Sequence, residues 1–148
     1  MPLHATASPV IAQHVQITRD VCIRGAARHY GASEDVIRAL IRTEGGTTGE
    51  VRHNKDGSVD MGLMQINSVH LTDRGPEGLW RYGITANDLI YNECLNIYIG
   101  TWYVQMRVMK RGDLWKGIGD YRSRTPSLNV DYQWRVYRAL KNVWAERN

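Results

Sequence analysis

The chain has 148 residues, of which 43% are hydrophobic and 23% charged, so its length and composition suit a single globular domain with its own core. Its formal net charge is +4 and its pI is about 9.2, which favours approach to an anionic polymer. A nucleic acid is not the favoured partner, because the sequence has no dense Lys/Arg tract and no aromatic RNA-binding signature. Nothing in the composition demands more than a monomer.

The N-terminal segment lacks the features of a membrane anchor or a signal peptide. It has no apolar run long enough to span a bilayer, and no charged start followed by an apolar core. We predict an N-terminal tail over residues 1–19, one folded domain over residues 20–148, and no insertion into a membrane. The first predicted helix runs from Asp20 to His29 and contains Cys22, with Gly31 suited to its C-cap.

The second predicted helix ends on a glutamate that lies on its apolar face. On a helical wheel of about 100° per residue, one arc of about 140° carries four apolar residues, Val36, Ile37, Leu40 and Ile41. Glu44 falls in the middle of this arc and at the end of the helix where the dipole disfavours negative charge. Both effects should raise the pKa of its carboxyl group, as a general acid near neutral pH requires. The alternatives are a glutamate at a frayed helix end or one paired with a buried arginine.

Short extended segments and tight turns follow this helix. The segment Asn54–Ser58 has the composition of a turn, so a small β-hairpin or short sheet is predicted near residues 51–66. Oxygen-bearing side chains alternate over Asn54–Asp60 as they do in calcium loops. However, Val59 stands where such a loop needs glycine and Gln65 where it needs glutamate, so no metal site is predicted.

The second half of the chain is predicted to be helical. Thr85 begins the longest predicted helix, from Ala86 to about Met109, which is apolar around much of its circumference and is therefore expected at the centre of the core. A short helix from Asp113 to Tyr121 comes next. A last helix, from about Asn129 to Glu146, is expected to bury the stripe formed by Val130, Trp134, Tyr137 and Trp144. The predicted fold is mainly α with a small sheet.

Two motifs carry a family resemblance. The first joins Glu44-Gly45 to the run Asn54–Asn67, which ends in Gly-Leu-Met-Gln-Ile-Asn, and the second is Cys94-Leu-Asn-Ile97. Together they resemble the soluble lytic transglycosylases of the lysozyme superfamily. The narrower resemblance is to the small members that accompany type III and type IV secretion, conjugation and pilus systems. It extends from about Asp20 to Asn148 and implies a lysozyme-like α+β fold.

The resemblance also implies an activity and a set of site residues. It implies an exported, periplasmic enzyme that cleaves peptidoglycan with no cofactor, with Glu44 as its single acid and base, and with a secretion, conjugation or pilus apparatus as partner. Substrate contacts are implied for Met64, Gln65, Asn67 and Tyr121. It further implies a disulfide between Cys22 and Cys94, as an oxidising compartment would allow. The alternative for the cysteines is two buried free thiols.

Two departures from the family pattern leave other functions open. Gly45 stands where a serine commonly follows the catalytic glutamate, and Arg122 replaces the asparagine that follows the matching Tyr121. Asp60 is a candidate second carboxylate, which would make the protein a lysozyme-type hydrolase that uses water. It could equally order its turn by accepting hydrogen bonds. A third hypothesis is a non-catalytic glycan-binding or assembly module.

Overall fold

The computed structural model describes residues 8–147, and within them the fold is mainly helical with one small antiparallel sheet. This is the lysozyme-like architecture predicted from the sequence. The elements in chain order are α1 (Pro9–Tyr30), α2 (Glu34–Glu44), β1 (Val51–His53), β2 (Val59–Met61), β3 (Ile66–Asn67), α3 (Val69–Thr72), a 3₁₀ turn (Leu79–Tyr82), α4 (Ala86–Tyr91), α5 (Glu93–Arg111), α6 (Leu114–Arg122) and α7 (Pro126–Ala145).

Helix α5 is the centre of the fold, because its buried side chains contribute to all three apolar clusters. Val104 packs in the cluster formed mainly by α2, α6 and α7. Ile97 packs in the cluster that α5 shares with α1. Ile99 and Tyr103 pack with residues of the sheet and of α4. The prediction of a central buried helix is therefore confirmed.

The prediction that this helix begins at Ala86 is wrong. Helix α4 ends at Tyr91, and the backbone of Asn92 leaves the helical region with φ −95° and ψ 96°. The Asn92 side-chain oxygen then accepts a hydrogen bond from the amide of Leu95 at 3.0 Å, which caps the start of α5. An asparagine that can cap a helix therefore divides one apolar stretch into two helices.

Helix α1 begins at Pro9 rather than at Asp20, so part of the segment predicted as a tail is helical. Residues 1–7 lie outside the described part of the chain. Val10 and Ile17, in the early turns of α1, are 76% and 55% exposed. The division of the chain at Asp20 stays a prediction. Over residues 8–147, no helix is long and apolar enough to cross a membrane.

A disulfide joins α1 to the central helix. Cys22 and Cys94 are bonded, with their Cα atoms 5.3 Å apart. An ion pair between Arg19 and Glu93, 2.7 Å long, lies one turn away on the same two helices. In the chain-entropy model, a crosslink with a sequence separation of 72 residues contributes roughly 4 kcal/mol to stability. The disulfide therefore holds α1 against the core.

The sheet has three short strands in the order β1-β2-β3, and both strand pairs are antiparallel, which confirms the predicted sheet. Asp60 lies on the middle strand, opposite Arg52 on one side and Asn67 on the other. The β1–β2 turn closes with the Gly57 amide donating to the carbonyl of Asn54 at 3.1 Å. The register therefore places Asp60 between a cation and an amide.

Helix α7 packs with a different face from the one predicted. Its buried residues are Asn129, Tyr132, Val136, Leu140 and Val143. The predicted stripe is at least 37% exposed at every position: Val130, Trp134, Tyr137 and Trp144. Helix α7 thus carries two apolar arcs, and only the arc with Tyr132 faces α2 and α6. The other arc borders an open cavity of about 350 Å³ that is lined by Trp115, Gln133, Trp134 and Tyr137.

A fully buried amide ties α5 to the loop that follows β2. The Asn96 Nδ2 group donates to the carbonyls of Met61 at 3.0 Å and Leu89 at 2.8 Å, and its Oδ1 accepts from the amide of Met64 at 2.8 Å. Gly62 passes so close that a Cβ there would lie 2.4 Å from the same Nδ2, and its φ is +70°. Only glycine fits both the space and the backbone angle. Asn96 therefore fixes the path of the loop.

Replacing Asn96 with alanine should destabilise the protein by about 3 kcal/mol, because three buried backbone groups lose their partner. Urea unfolding monitored by circular dichroism would measure this loss. The matched control is Asn142→Ala on the exposed surface of α7, for which we expect a change within about 0.5 kcal/mol. Equal stability of the two variants would contradict this role of Asn96.

Candidate active site

Glu44 is the last residue of α2, and its carboxyl group lies under α7. The hydroxyl of Tyr132 donates a hydrogen bond of 2.6 Å to Oε1 of Glu44. Burial raises the pKa of the Glu44 carboxyl above its ordinary value of 4.5, and the charge of Asp60 adds to this increase. The Tyr132 hydrogen bond and the charges of Arg135 and Arg122 oppose it. Desolvation prevails, so the site favours the protonated acid more than water does.

The end of α2 is held by an arginine from the sheet. Arg52 on β1 donates from Nη1 to the carbonyl of Glu44 at 3.1 Å and from Nη2 to the carbonyl of Gly45 at 2.7 Å. The carbonyls at the end of a helix otherwise lack partners and carry partial negative charge. Arg52 therefore satisfies the backbone at the catalytic candidate and offsets part of the dipole there. Its Nε also bonds the carboxylate of Glu50.

The turn after α2 lies against the loop that follows β2. At Gly46 an added Cβ would be 2.3 Å from the carbonyl oxygen of Gly62 and 2.6 Å from that of Leu63. The two backbones approach so closely that a side chain at Gly46 would push them apart. This contact sets the position of Glu44 relative to the sheet and its loop.

Asp60 is oriented by two amide groups. Its Oδ1 accepts from Nδ2 of Asn67 at 3.0 Å, and its Oδ2 accepts from Nδ2 of Asn54 at 3.1 Å. Asp60 is also near enough to influence the carboxyl of Glu44, since its charge helps to raise the Glu44 pKa. The structure thus combines the two interpretations of Asp60, because the same side chain orders the turn and belongs to the surroundings of Glu44.

Two tyrosine rings connect Glu44 to the loop. Tyr121 and Tyr132 stack with ring centroids 6.3 Å apart and an interplanar angle of 21°. The Tyr121 hydroxyl donates to the carbonyl of Met64 at 2.7 Å. Burial, followed by the proximity of Glu44, raises the pKa of both phenols well above 10, so both remain hydroxyl donors. Tyr121 therefore positions the site through Tyr132 and Met64 and forms no hydrogen bond to Glu44 itself.

The residues of the Met-Gln-Ile-Asn run do not form an open binding surface, contrary to the role implied for Met64. Its side chain is fully buried in the cluster with α2 and α7, and it packs against Gly100. Asn67 is partly exposed, but its amide and carbonyl groups bond Ser58, Asp60 and the Val69 amide. The predicted substrate role of Met64 therefore conflicts with its location in the core.

Gln65 is nearly buried at 7% exposed and has an unusual backbone, with a φ of +51°. Its Nε2 donates to the carbonyl of Gly62 at 2.8 Å. Its Oε1 has no hydrogen-bond partner among residues 8–147. The side chain borders a cavity of about 30 Å³, enough for one water molecule, between the loop and Tyr121. Strain of this kind is found where surrounding contacts hold the backbone in place.

The acidic and histidine side chains of residues 8–147 form no cluster of three that could hold a metal ion. The alternating residues that resembled a calcium loop bond one another instead. Asn54 donates to both Ser58 and Asp60, and Asp56 accepts from the Ser58 hydroxyl. These oxygens are therefore used within the turn.

Comparison with known proteins identifies the family. The transglycosylase SLT domain model matches residues 21–128, which is most of the chain. The chain belongs to this family. It is 29% identical to invasion protein IagB of Salmonella typhimurium over 133 residues, or 84% of this chain and 80% of that protein. It is 31% identical to the X polypeptide of Escherichia coli K12 over a 129-residue alignment, which covers 82% of this chain and 73% of that protein. It is 26% identical to protein IpgF of Shigella flexneri over 130 residues, covering 84% and 82%.

Sequence reasoning missed Tyr132, which makes the one hydrogen bond to the carboxyl group of Glu44 found among the described residues. The signal was present, because Val136 and Leu140 follow at intervals of four residues on the same face of α7. Arg52 was missed as well, since a strand arginine carries no mark that it will reach a helix end. The structure brings Glu44, Asp60 and Tyr121 into one neighbourhood.

Replacing Glu44 with glutamine should stabilise the SLT domain at pH 7. Because the folded-state pKa is raised, the folded chain binds this proton more tightly than the unfolded chain does. The stabilisation that the protonated Glu44 carboxyl contributes is therefore fully present below about pH 4.5. It decreases as the pH rises through the raised pKa and is absent above it. Thermal unfolding should show a higher Tm for Glu44→Gln at pH 7 and little difference at pH 4.

Glu34→Gln provides the control, because it is the same substitution at the opposite end of α2. Glu34 lies in the first turn, where a negative charge is favourable, so its loss should lower stability at pH 7 by about 0.3–1 kcal/mol. A lower Tm for both variants at pH 7 would contradict the conclusion that the charged Glu44 carboxylate destabilises the folded chain.

Proposed function

We propose that this SLT domain is a lytic transglycosylase that cleaves the β-1,4 bond between N-acetylmuramic acid and N-acetylglucosamine in peptidoglycan. The observation that carries the proposal is the partly buried Glu44, whose raised pKa suits a general acid. Tyr132 donates to Oε1, which leaves Oε2 to hold the acidic proton. Family membership supports the same activity.

In the proposed reaction Glu44 acts twice. It first donates its proton to the glycosidic oxygen, so that the bond from the muramoyl anomeric carbon to that oxygen breaks and an oxocarbenium-like centre develops. The Glu44 carboxylate then removes the proton from the muramoyl C6 hydroxyl, whose oxygen attacks the anomeric carbon. The product is a 1,6-anhydro ring, the proton returns to Glu44, and no water is consumed.

The remaining site residues have supporting roles in this proposal. Tyr132 orients the carboxyl group, and its hydrogen bond stabilises the carboxylate after the first proton transfer. Tyr121 and Asn67 hold the loop and the sheet edge beside it. Gln65 has one unpartnered oxygen beside a cavity of water size, so its contact with substrate would be indirect, through a water in that cavity.

We further propose a periplasmic enzyme that opens the cell wall locally for a secretion, conjugation or pilus apparatus. The disulfide between Cys22 and Cys94 suits an oxidising compartment. The similarity to a protein named for invasion supports a link to such an apparatus. The basic net charge is favourable for approach to an anionic cell wall.

Digestion of purified peptidoglycan followed by mass spectrometry of the muropeptides tests the reaction. We expect products about 18 Da lighter than those of a hydrolase, because no water is added. Glu44→Gln should reduce product release by at least a hundredfold, roughly the contribution of a general acid, while retaining the folded circular dichroism spectrum. A folded and fully active Glu44→Gln variant would exclude Glu44 as the acid.

A lysozyme-type hydrolase is the second candidate, and the position of Asp60 favours it specifically. The two amides that bond Asp60 fix its carboxylate near Glu44, as a second carboxylate would need. Asp60→Asn distinguishes the two functions. A hydrolase should lose most of its activity, about a hundredfold or more, whereas a transglycosylase should keep activity within about tenfold.

Asp131→Asn, on the exposed surface of α7, is the control for a lost charge. The unfolding midpoints of both variants show whether Asp60→Asn reduces activity because it changes the reaction or because it destabilises the turn that Asp60 holds together. Reducing-end products from the wild type, together with a large loss in Asp60→Asn, would favour the hydrolase over our proposal.

A further inference from the structure

Three exposed arginines on α6 and α7 have no acidic partner among residues 8–147, and two of them act on Glu44 through their charge. Arg122 ends α6, directly after Tyr121, and Arg135 and Arg138 lie on α7 beyond Tyr132; all three are exposed. Among residues 8–147, the ion pairs leave all three without a carboxylate. Some other arginines of residues 8–147 do have one, such as Arg38 and Arg107, and others, such as Arg24 and Arg81, do not. The basic groups around the site are therefore free to bind an anion.

Two of these arginines, on different helices, lie close enough to Glu44 for their charges to act on it. Arg135 places its guanidinium 5.8 Å from the ring centroid of Tyr132, and its Nη2 donates to the carbonyl of Thr43 at 3.4 Å. Arg122 approaches from the end of α6. Both are close enough that their charges lower the pKa of Glu44, against the larger effect of burial.

The positive charges of Arg122 and Arg135 disfavour the proposed reaction unless a negative charge balances them. An oxocarbenium-like transition state develops positive charge beside Glu44, and nearby cations raise its energy. Among the described residues, the carboxylate that influences Glu44 is Asp60, and its oxygens already bond two amides. Asp60 supplies one negative charge against the two positive charges of Arg122 and Arg135, so an anion on the substrate would balance the site further.

The shape of the surface fits such an anion. Arg135 and Arg138 border an open cavity of about 400 Å³ between α2 and α7, which is also lined by Arg42, Thr43, Ala139 and Asn142. Arg42 is already bonded to Glu146. Arg135 and Arg138 thus remain available, and a guanidinium binds a carboxylate through two parallel hydrogen bonds.

We propose that Arg122 and Arg135, with Arg138 in the adjoining cavity, bind the carboxylates of the peptide stems carried by the muramoyl residues. The inference rests on the proposed function and adds a substrate preference to it. A stem attached next to the cleaved bond brings negative charge to the cations that flank Glu44. Strands with stems are therefore the better substrates, and bare glycan strands leave the site with uncompensated positive charge.

The test compares two substrates that differ only in the stems. One is purified peptidoglycan strands with their peptides, and the other is the same strands after an amidase has removed them. We expect wild-type kcat/KM to be higher on strands with stems. In the double variant Arg122→Gln/Arg135→Gln, the ratio of the two kcat/KM values should fall by about tenfold, mainly through KM on strands with stems.

The double variant Arg24→Gln/Arg28→Gln is the matched control, because it removes the same charge from the exposed side of α1. We expect it to leave the ratio of the two kcat/KM values unchanged. Equal losses on both substrates in the double variant at the site would overturn the inference, because the arginines would then act on chemistry or folding. No loss on either substrate would overturn it too.

A binding measurement separates this inference from the proposed function. Glu44→Gln should cleave at least a hundredfold more slowly, so its affinity for both substrates can be measured near equilibrium, with and without the two arginine substitutions. Binding that depends on the stems and on the arginines would support the inference even if the wild type cleaved neither strand. Cleavage of both strands with no preference would instead retain the proposed function and reject the inference.

Discussion

The hydrogen bonds of the buried Asn96 amide are the constraint on which the site depends. A buried amide is stable only when its donors and acceptor are satisfied, and here its partners are backbone groups of α4, of the end of β2 and of the loop after β2. The Asn96 side chain thus provides, between α5 and a segment without regular structure, the hydrogen bonds that secondary structure would otherwise provide. Gly62 follows from this, since any side chain there would displace the amide. The loop becomes as rigid as the central helix.

That rigidity reaches Glu44 through a short series of contacts. The loop presents the carbonyl of Met64 to Tyr121, whose ring stacks on Tyr132, and Tyr132 bonds the carboxyl group. Each aromatic ring has few torsions and is held by packing as well as by its hydroxyl group, so little freedom accumulates along the series. The protein thereby holds an acid in place with apolar surroundings. The same surroundings raise the pKa of Glu44.

Much of the fold and the central residue of the site could be predicted from the sequence, because both depend on local patterns. The apolar stripe that includes Glu44 and the turn composition that predicts the short sheet are both local signals. The packing of α7 could not be predicted, since periodicity detects an apolar arc but does not decide which of two arcs faces the core. Tyr132 lies on the apolar arc of α7 that was not predicted to be buried. Its hydrogen bond to Glu44, 88 residues away along the chain, was therefore not predicted either.

The burial of Met64 changes what the Gly-Leu-Met-Gln-Ile-Asn motif means in this chain. A motif match predicts that residues matter at those positions, but it does not distinguish a side chain that touches a ligand from one that builds the loop. Met64 fills the core beneath Gly100, and its backbone groups bond Asn96 and Tyr121. Residue by residue, the motif is therefore mainly structural, and its contribution to function is the position it gives to Glu44. In our proposal, substrate discrimination then depends on exposed groups around Glu44, where the arginines lie and where this chain departs from the family pattern at Arg122.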